Sequence, residues 1–363
     1  MKEEVEPAGG TVLVRRLPGM MHIILNRPEA INSLTLQMVR AVARALRVAK
    51  GDDGTRLVLL SGSGGRGFCA GGDVKLLARA AQEHNVEPAI RFLKEENDLD
   101  LAVHLFPKPV AVIAHGVTMG GGLGIAAGAD VVAAAETTRM AMPETRIGFF
   151  PDVGATGWLF RKCPRGYPEF LGLTGYELTG VECVRVGLAS CLIPSSKIAD
   201  AIDALERHAP GLASDRPAAA AELKEIIRTF TLKDIPENPE MDKWVEEYFA
   251  DKTSVTGLLD DLKSCSRKSG LCEGVFSRLS ERSPTAVVAT LMCLRRDEGR
   301  DLREVYRSDL KVARYLMAQH DFREGVRARL IDRDNSPHWR PDTFEEAAAM
   351  VPSGELCTVP DAP

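Results

Sequence analysis

Short apolar runs separated by turn residues fill the first half of the chain. Thr11 to Arg15 and Met21 to Leu25 flank Pro18-Gly19, which predicts a strand, a turn and a second strand. Leu34, Met38, Val42 and Ala45 then recur at helical spacing up to about Lys50, with Asn32 or Ser33 placed to cap that helix. Arg56 to Leu60 reads as a buried strand; the glycine-rich stretch Ser61 to Gly72 and a helix from about Val74 follow it. A third helix spans about Ala89 to Leu105. Val110 to Ala114, a glycine turn and Leu123 to Ala127 repeat the order strand, glycine loop, helix. Two such units could aim the N–H groups of two loops at one point.

Past about Pro194 the pattern changes. Ala199 to His208, Ala218 to Phe230, Met241 to Ala250, Val255 to Lys263, Pro284 to Leu294 and Leu302 to Gln319 read as amphipathic helices, and strand signals almost vanish. Pro194-Ser-Ser, Pro210-Gly and Asp234-Ile-Pro-Glu-Asn-Pro239 break the run. The expected division is an α/β part at 1–195, a helical part at 196–350 and a loose tail at 351–363.

With 363 residues, 45% of them hydrophobic and 27% charged, the chain has the balance of a globular protein. Its net charge is 46 − 51 = −5 with no basic block, which argues against nucleic acid or an anionic membrane as partner. The eight cysteines show no metal-ligand spacing and are expected to be reduced, so no metal site is predicted. The acidic opening Met1-Lys-Glu-Glu lacks signal or transit features, and no apolar run nears the ~20 residues of a membrane helix. A cytoplasmic location is the expectation.

The candidate chemistry lies in a few motifs. Gly62-Ser-Gly64-Gly-Arg-Gly67 matches a dinucleotide fingerprint, but no helix opens at Gly67 and no ribose-binding acid follows a second strand, so it is set aside. Phe68-Cys-Ala-Gly-Gly-Asp73 ends in two glycines ahead of Asp73, which caps the next helix. The turn Gly120-Gly-Gly122 similarly leaves backbone donors uncovered by side chains. The N–H groups of Gly72 and Gly121 are therefore the candidate oxyanion hole. Glu144 ends the strand-like Thr138 to Met142, where a carboxylate could move protons; its plain reading is a surface turn. Asp152 is a second candidate acid whose plain reading is an N-cap. Glu96 shares a helix face with Phe92, Leu99 and Val103, and is by default solvated or snorkelling; buried, it would have a raised pKa and could bond a substrate. None of the seven histidines has a serine or cysteine elbow beside it, which disfavours a hydrolase triad.

Asn26-Arg-Pro-x-x-x-Asn32, Phe68-Cys-Ala-Gly-Gly-Asp73, Gly120-Gly-Gly122, Met142-Pro-Glu144 and Phe150-Pro-Asp-Val-Gly154 stand in the order of the crotonase (enoyl-CoA hydratase/isomerase) superfamily, which the chain resembles. Leu173-Thr-Gly-Tyr-x-Leu-Thr-Gly180, Asp321-Phe-Arg-Glu-Gly-Val-Arg-Ala328 and Leu330-Ile-Asp-Arg-Asp-x-Ser-Pro-x-Trp339 bring it closest to the 3-hydroxyisobutyryl-CoA hydrolase branch. The resemblance implies an α/β fold built as a spiral of β-β-α units with a helical C-terminal region, and an acyl-CoA thioester as ligand. It implies that Ala70, Gly71, Gly72 and Asp73 lie against CoA, and that Glu96, Gly121, Glu144 and Asp152 contact the substrate. Coenzyme A is then part of the substrate, no separate cofactor is needed, and a homo-oligomer is allowed. Family hydratases carry a second glutamate where this chain has Gly124, which points to thioester hydrolysis; an isomerase needs only Glu144 and is the alternative, with a non-catalytic acyl-CoA binder behind it.

Overall fold

The computed structural model describes residues 3–5, 10–265 and 269–352, which fall into two compact units. The first unit comprises Met1–Gly72, Glu95–Ala141 and Glu177–Glu237. Its strands are β1 Glu3–Val5, β2 Val12–Leu17, β3 Gly19–Leu25, β4 Thr55–Gly62, β5 Gly67–Cys69, β6 Val110–Ala114, β7 Val117–Met119, β8 Val131–Ala135, β9 Arg139–Ala141, β10 Leu178–Thr179 and β11 Cys191–Ile193. A seven-stranded sheet runs β1-β2-β3-β4-β6-β8-β11 and a four-stranded sheet runs β10-β9-β7-β5. Each of the pairs β4/β5, β6/β7 and β8/β9 gives its first strand to the large sheet and its second to the small one, always parallel to its predecessor. That alternation is the β-β-α spiral.

β6 and β8 are buried at every position, as parallel strands covered on both faces must be. One face packs Leu57, Leu59, Ile113 and Val131 against Leu205 and Leu223 of the helices Ile198–His208 and Arg216–Arg228. Residues 196–237 therefore join the sheet's unit, and the division does not follow a boundary near 195.

A buried polar contact organises the loops at the ends of β3 and β4. Ile31 and Asn32 adopt left-handed φ of 50° and 55°, and Asn32 is 0% exposed. Its Oδ1 accepts the Arg27 N–H at 2.8 Å, while Nδ2 donates to the carbonyls of Ser63 (3.0 Å) and Gly67 (2.9 Å). Ala70 N–H donates to Ile31 O at 3.0 Å and Leu34 N–H to Gly71 O at 2.8 Å, which ties the two loops together. Asn32 is thus occupied and does not cap the next helix. Thr35 does so, accepting Met38 N–H ahead of Leu36–Gly51.

The second unit comprises Asp73–Lys94, Met142–Tyr176 and Asn238–Pro363 and is helical. Phe170 stands at the centre of an aromatic cluster with Tyr167, Tyr176, Trp244 and Phe249 at ring distances of 5.0 to 6.2 Å. Cys265 and Cys272 are joined in a disulfide, which corrects the expectation that every cysteine is reduced: seven residues apart, their Cα atoms come within bridging range at 6.5 Å. Cys69, Cys163, Cys183, Cys191 and Cys293 are free thiols, and Cys357 lies outside the described residues, as does the expected tail beyond Pro352. Among the described residues, no helix is long and apolar enough to cross a membrane, and no cluster of His, Cys, Asp and Glu could hold a metal ion.

Asn32→Ala leaves two buried carbonyls and one N–H without their partner and places an alanine in the left-handed region. We expect a loss of about 3 kcal/mol in urea unfolding with an unchanged m-value. A loss below about 1 kcal/mol would mean that water replaces the amide.

Candidate active site

In the first unit the two glycine turns lie against one another, backbone to backbone. Gly71 has φ +93°, and a Cβ built on it would stand 3.1 Å from Met119 O and 3.4 Å from Gly121 N. A Cβ on Gly122 would fall 2.5 Å from Cys69 O, nearer than side-chain carbons approach. Gly72 forms a parallel bridge with Leu34 that runs through the Gly71 carbonyl, so the Gly72 N–H is not the donor of that bond. Gly121 opens the buried helix Gly121–Gly128; Leu123 and Gly124 N–H both donate to the Gly120 carbonyl at 2.9 Å, whereas the N–H of Gly121 itself, the first helical residue, has no helix carbonyl behind it. The unit thus brings together Ala70, Gly71, Gly72 and Gly121.

Glu96 belongs to the same arrangement. It is 2% exposed, so the default reading of a solvated helix glutamate is overturned: Phe92, Leu99 and Val103 on its face are buried with it. A Cβ at Gly121 would collide with Glu96 Oε1, which places that carboxylate against the glycine's Cα. Asp100, one helical turn on, is also fully buried. Burial, with the negative charges of Glu96 and Asp100, pushes the Cys69 thiol far up, so this cysteine is no nucleophile. Asp73 caps the helix Val74–Glu83 by accepting Lys75 N–H at 3.0 Å, as expected. His22, bonded to Ser61 Oγ at 2.8 Å, is held down to about 4 by burial and stays neutral.

The second unit holds the two acids. Glu144 is half-buried at the start of the 3-10 turn Glu144–Ile147, and its carbonyl accepts Phe149 N–H at 3.1 Å. Asp152 is 7% exposed and does not act as a cap, because Gly154 is the residue preceding the helix Ala155–Lys162. The turn between them is strained. Val153, a β-branched residue, has φ +49°, and Trp158 Nε1–H holds its carbonyl at 2.9 Å. Gly154, at φ +73°, packs so closely on Tyr306 that a Cβ would fall 2.7 Å from the ring's Cζ.

Burial raises Asp152 to about 7, so it holds a proton at pH values where an ordinary aspartate is ionised. Behind it lies Asp309, 1% exposed, whose Oδ2 accepts the Gly154 N–H at 2.7 Å. Burial, and then the negative charges of Asp152 and Asp297, hold Asp309 well above the usual carboxylate range. Asp297 in turn accepts from Thr156 Oγ1 at 2.8 Å and pairs with Arg296 and Arg300. The sequence reading missed Asp309. Its signal was available: on the helix Leu302–Ala318 it falls in the buried series Leu302, Val305, Tyr306, Val312, Ala313, Leu316.

A family model described as enoyl-CoA hydratase/isomerase matches residues 20–352. The 3-hydroxyisobutyryl-CoA hydrolase of Danio rerio is 34% identical over 341 residues, covering 93% of this chain and 87% of the relative. That of Homo sapiens is 34% identical over 329 residues, covering 89% and 82%. Both names read "mitochondrial", which lends no support to a cytoplasmic location. Among solved structures, a carnitinyl-CoA dehydratase from Mycobacterium thermoresistibile superposes with a TM-score of 0.83 at 32% identity, covering 95% of each chain. An enoyl-CoA hydratase from Rhodobacter sphaeroides 2.4.1 does so with a TM-score of 0.82 at 30% identity, covering 96% of this chain and 97% of its own. With its spiral of paired strands and a family match over almost the whole chain, this protein belongs to the enoyl-CoA hydratase/isomerase family.

Proposed function

We propose that the chain hydrolyses a short branched 3-hydroxyacyl-CoA, 3-hydroxyisobutyryl-CoA first among them, to the free acid and CoA. The acid set carries this reading: Glu144 is followed eight positions on by Asp152, whose burial raises its proton affinity, while Gly124 stands where a family hydratase has its second glutamate. The names of the Danio rerio and Homo sapiens relatives point the same way.

The Gly72 and Gly121 N–H groups donate to the thioester oxygen as it gains charge, worth roughly 3–4 kcal/mol per well-placed donor. Glu144 attacks the carbonyl carbon, the C–S bond breaks, and Asp152 gives its proton to the departing thiolate. Water then opens the mixed anhydride, releasing the acid, freeing the Glu144 carboxylate and returning one proton to Asp152. Glu96 accepts the substrate hydroxyl, and Ala70, Gly71, Gly72 and Asp73 flank the CoA moiety. Coenzyme A enters and leaves as part of the substrate, with no further cofactor. The names of the two similar solved structures, a carnitinyl-CoA dehydratase and an enoyl-CoA hydratase, favour a second reading, addition or removal of water at an enoyl-CoA double bond.

Thiol release from 3-hydroxyisobutyryl-CoA, followed beside hydration of crotonyl-CoA and isomerisation of a 3-enoyl-CoA, separates the two. Hydrolysis should be faster by at least about a hundredfold, some 2.7 kcal/mol in barrier height. Rapid double-bond chemistry without thiol release would establish the second reading. For Glu96, replacement by alanine should lower kcat/KM on 3-hydroxyisobutyryl-CoA by roughly a hundredfold and on isobutyryl-CoA by much less. Equal losses on both esters would remove it from substrate recognition.

Asp152 makes a prediction about pH. Its folded pKa of about 7 lies above the ordinary value of 3.8, so folding favours its protonated form. That stabilisation is complete below about pH 4 and is lost as pH climbs through about 7. Asp152→Asn, which cannot ionise, should therefore unfold at higher urea concentration than the parent at pH 8, with the advantage vanishing towards pH 4. In the parent, kcat/KM should fall as pH rises through about 7, since the departing thiolate needs the protonated acid. A flat profile over that range would remove the proton-donor role.

A further inference from the structure

Four arginines of the second unit, none of them used by the thioester chemistry, gather around one turn. Arg282 is 2% exposed, and its Nε and Nη2 both donate to the Thr174 carbonyl, at 3.2 and 2.9 Å. Among the described residues, its Nη1 has no hydrogen-bond partner. Arg278 lies over the ring of Tyr176 at 5.5 Å, two residues along the strand of chain that Arg282 holds. Ser283 N–H donates to Thr145 O at 3.2 Å, which sets Arg282 and Arg146 each one residue from the same bond. Gly325 abuts the backbone of Ile147, where a Cβ would fall 2.6 Å from Ile147 Cα, and Arg329 follows one turn later. Arg329 Nη1 donates to Asn335 Oδ1 at 2.9 Å, while its buried Nε has no partner among the described residues.

The negative charge that acts on this group comes from Glu281 and, at Arg329, from Asp334, which is itself paired with Arg327. Among the described residues, the one acid within ion-pair range of Arg282 is Glu281, whose side chain is 58% exposed and whose Oε2 stands 3.6 Å from Nη1. Arg146 and Arg278 have no carboxylate partner among the described residues. A buried guanidinium ringed by like charges is costly unless an anion completes it. The cost shows in Arg282 itself, which burial and the charges of Arg146, Arg278 and Arg329 bring down to about 9.

We propose that Arg146, Arg278 and Arg329, over the fixed charge of Arg282, form a binding site for a phosphoryl group. The exposed and half-buried heads of Arg146, Arg278 and Arg329 supply the direct donors, and Arg282 charges the floor beneath them. Glu281 occupies the position of the missing anion with a single charge from a solvent-facing side chain. A phosphate ester or inorganic phosphate offers two charges and at least three acceptor oxygens to several guanidinium forks at once, which a lone carboxylate cannot. The group can come from inorganic phosphate or from the 3′-phosphate of a coenzyme A nucleotide; the chemistry is shared.

The signs of three variants test the site, with binding as the readout, so the outcome does not depend on which reaction the chain performs. Inorganic phosphate, titrated calorimetrically against sodium chloride at equal ionic strength, and CoA, titrated beside 3′-dephospho-CoA, are the probes. Arg146→Gln/Arg329→Gln, made at positions that keep solvent contact, should weaken the bound probe by about tenfold or more. Glu281→Gln should tighten it several-fold, because the competing carboxylate is gone. Arg282→Lys should weaken it less than the double variant does. Effects seen with inorganic phosphate assign the site to the free ion; effects confined to CoA and absent for dephospho-CoA assign it to the nucleotide. If both probes bind all three variants as they bind the parent, or if Glu281→Gln weakens binding, the proposal is wrong.

Discussion

At Gly122 a single methyl group would have to occupy the space held by the Cys69 carbonyl, and at Gly121 the space held by the Glu96 carboxylate. The first unit depends on that close approach of two loops. It is what lets Gly71 and Gly72 lie beside Gly121, and it requires each loop to be held from outside, since the glycines have no side chains with which to hold themselves. The Asn32 amide does this for the first loop, spanning Arg27, Ser63 and Gly67. The helix Gly121–Gly128, buried at every residue, does it for the second.

The same division of labour appears around Asp152 by different means. There a left-handed valine, an indole N–H on its carbonyl and the Asp309 carboxylate on the Gly154 N–H fix a turn that would otherwise be free to relax. A carboxylate pair in a dry environment cannot be fully ionised, so burial of Asp152 beside Asp309 keeps protons available where bulk water would remove them. Rigidity and proton affinity come from one arrangement.

The sequence made much of this legible, and the gaps have physical causes. Strands such as Val110 to Ala114, and helices such as Val255 to Lys263, were set by local periodicity and lie where the pattern put them. The glycine turns could be recognised because only glycine tolerates such approach. Asn32 was misjudged because the rule for a polar residue ahead of a helix favours a cap, whereas here its partners lie 31 and 35 residues away. Glu96 was underestimated for a similar reason: a glutamate on an apolar face is usually solvated, and only the glycine turn packed against it shows that this one is enclosed. Asp309 went unseen although its helical register announced it. The boundary near 195 reflected a real change from strands to helices, but where a helix packs is decided by which sheet face it covers, and Ala201, Leu205 and Leu223 cover the large one.

The hydrogen bond between Gly154 and Asp309 joins residues 155 positions apart in the chain. During synthesis Glu144 and Asp152 emerge from the ribosome well before the helix that buries one of them, and for that interval Asp152 is an ordinary, water-exposed aspartate with an ordinary acidity. Synthesis at ~5–20 residues per second stretches that interval over many seconds. Its altered proton affinity waits on the docking of Leu302–Ala318, whose Tyr306 and Asp309 pack against Gly154 in the turn that follows it. The nascent chain thus carries its acids without their chemistry, and a product that ends before that helix would keep both carboxylates and lack the environment that tunes one of them.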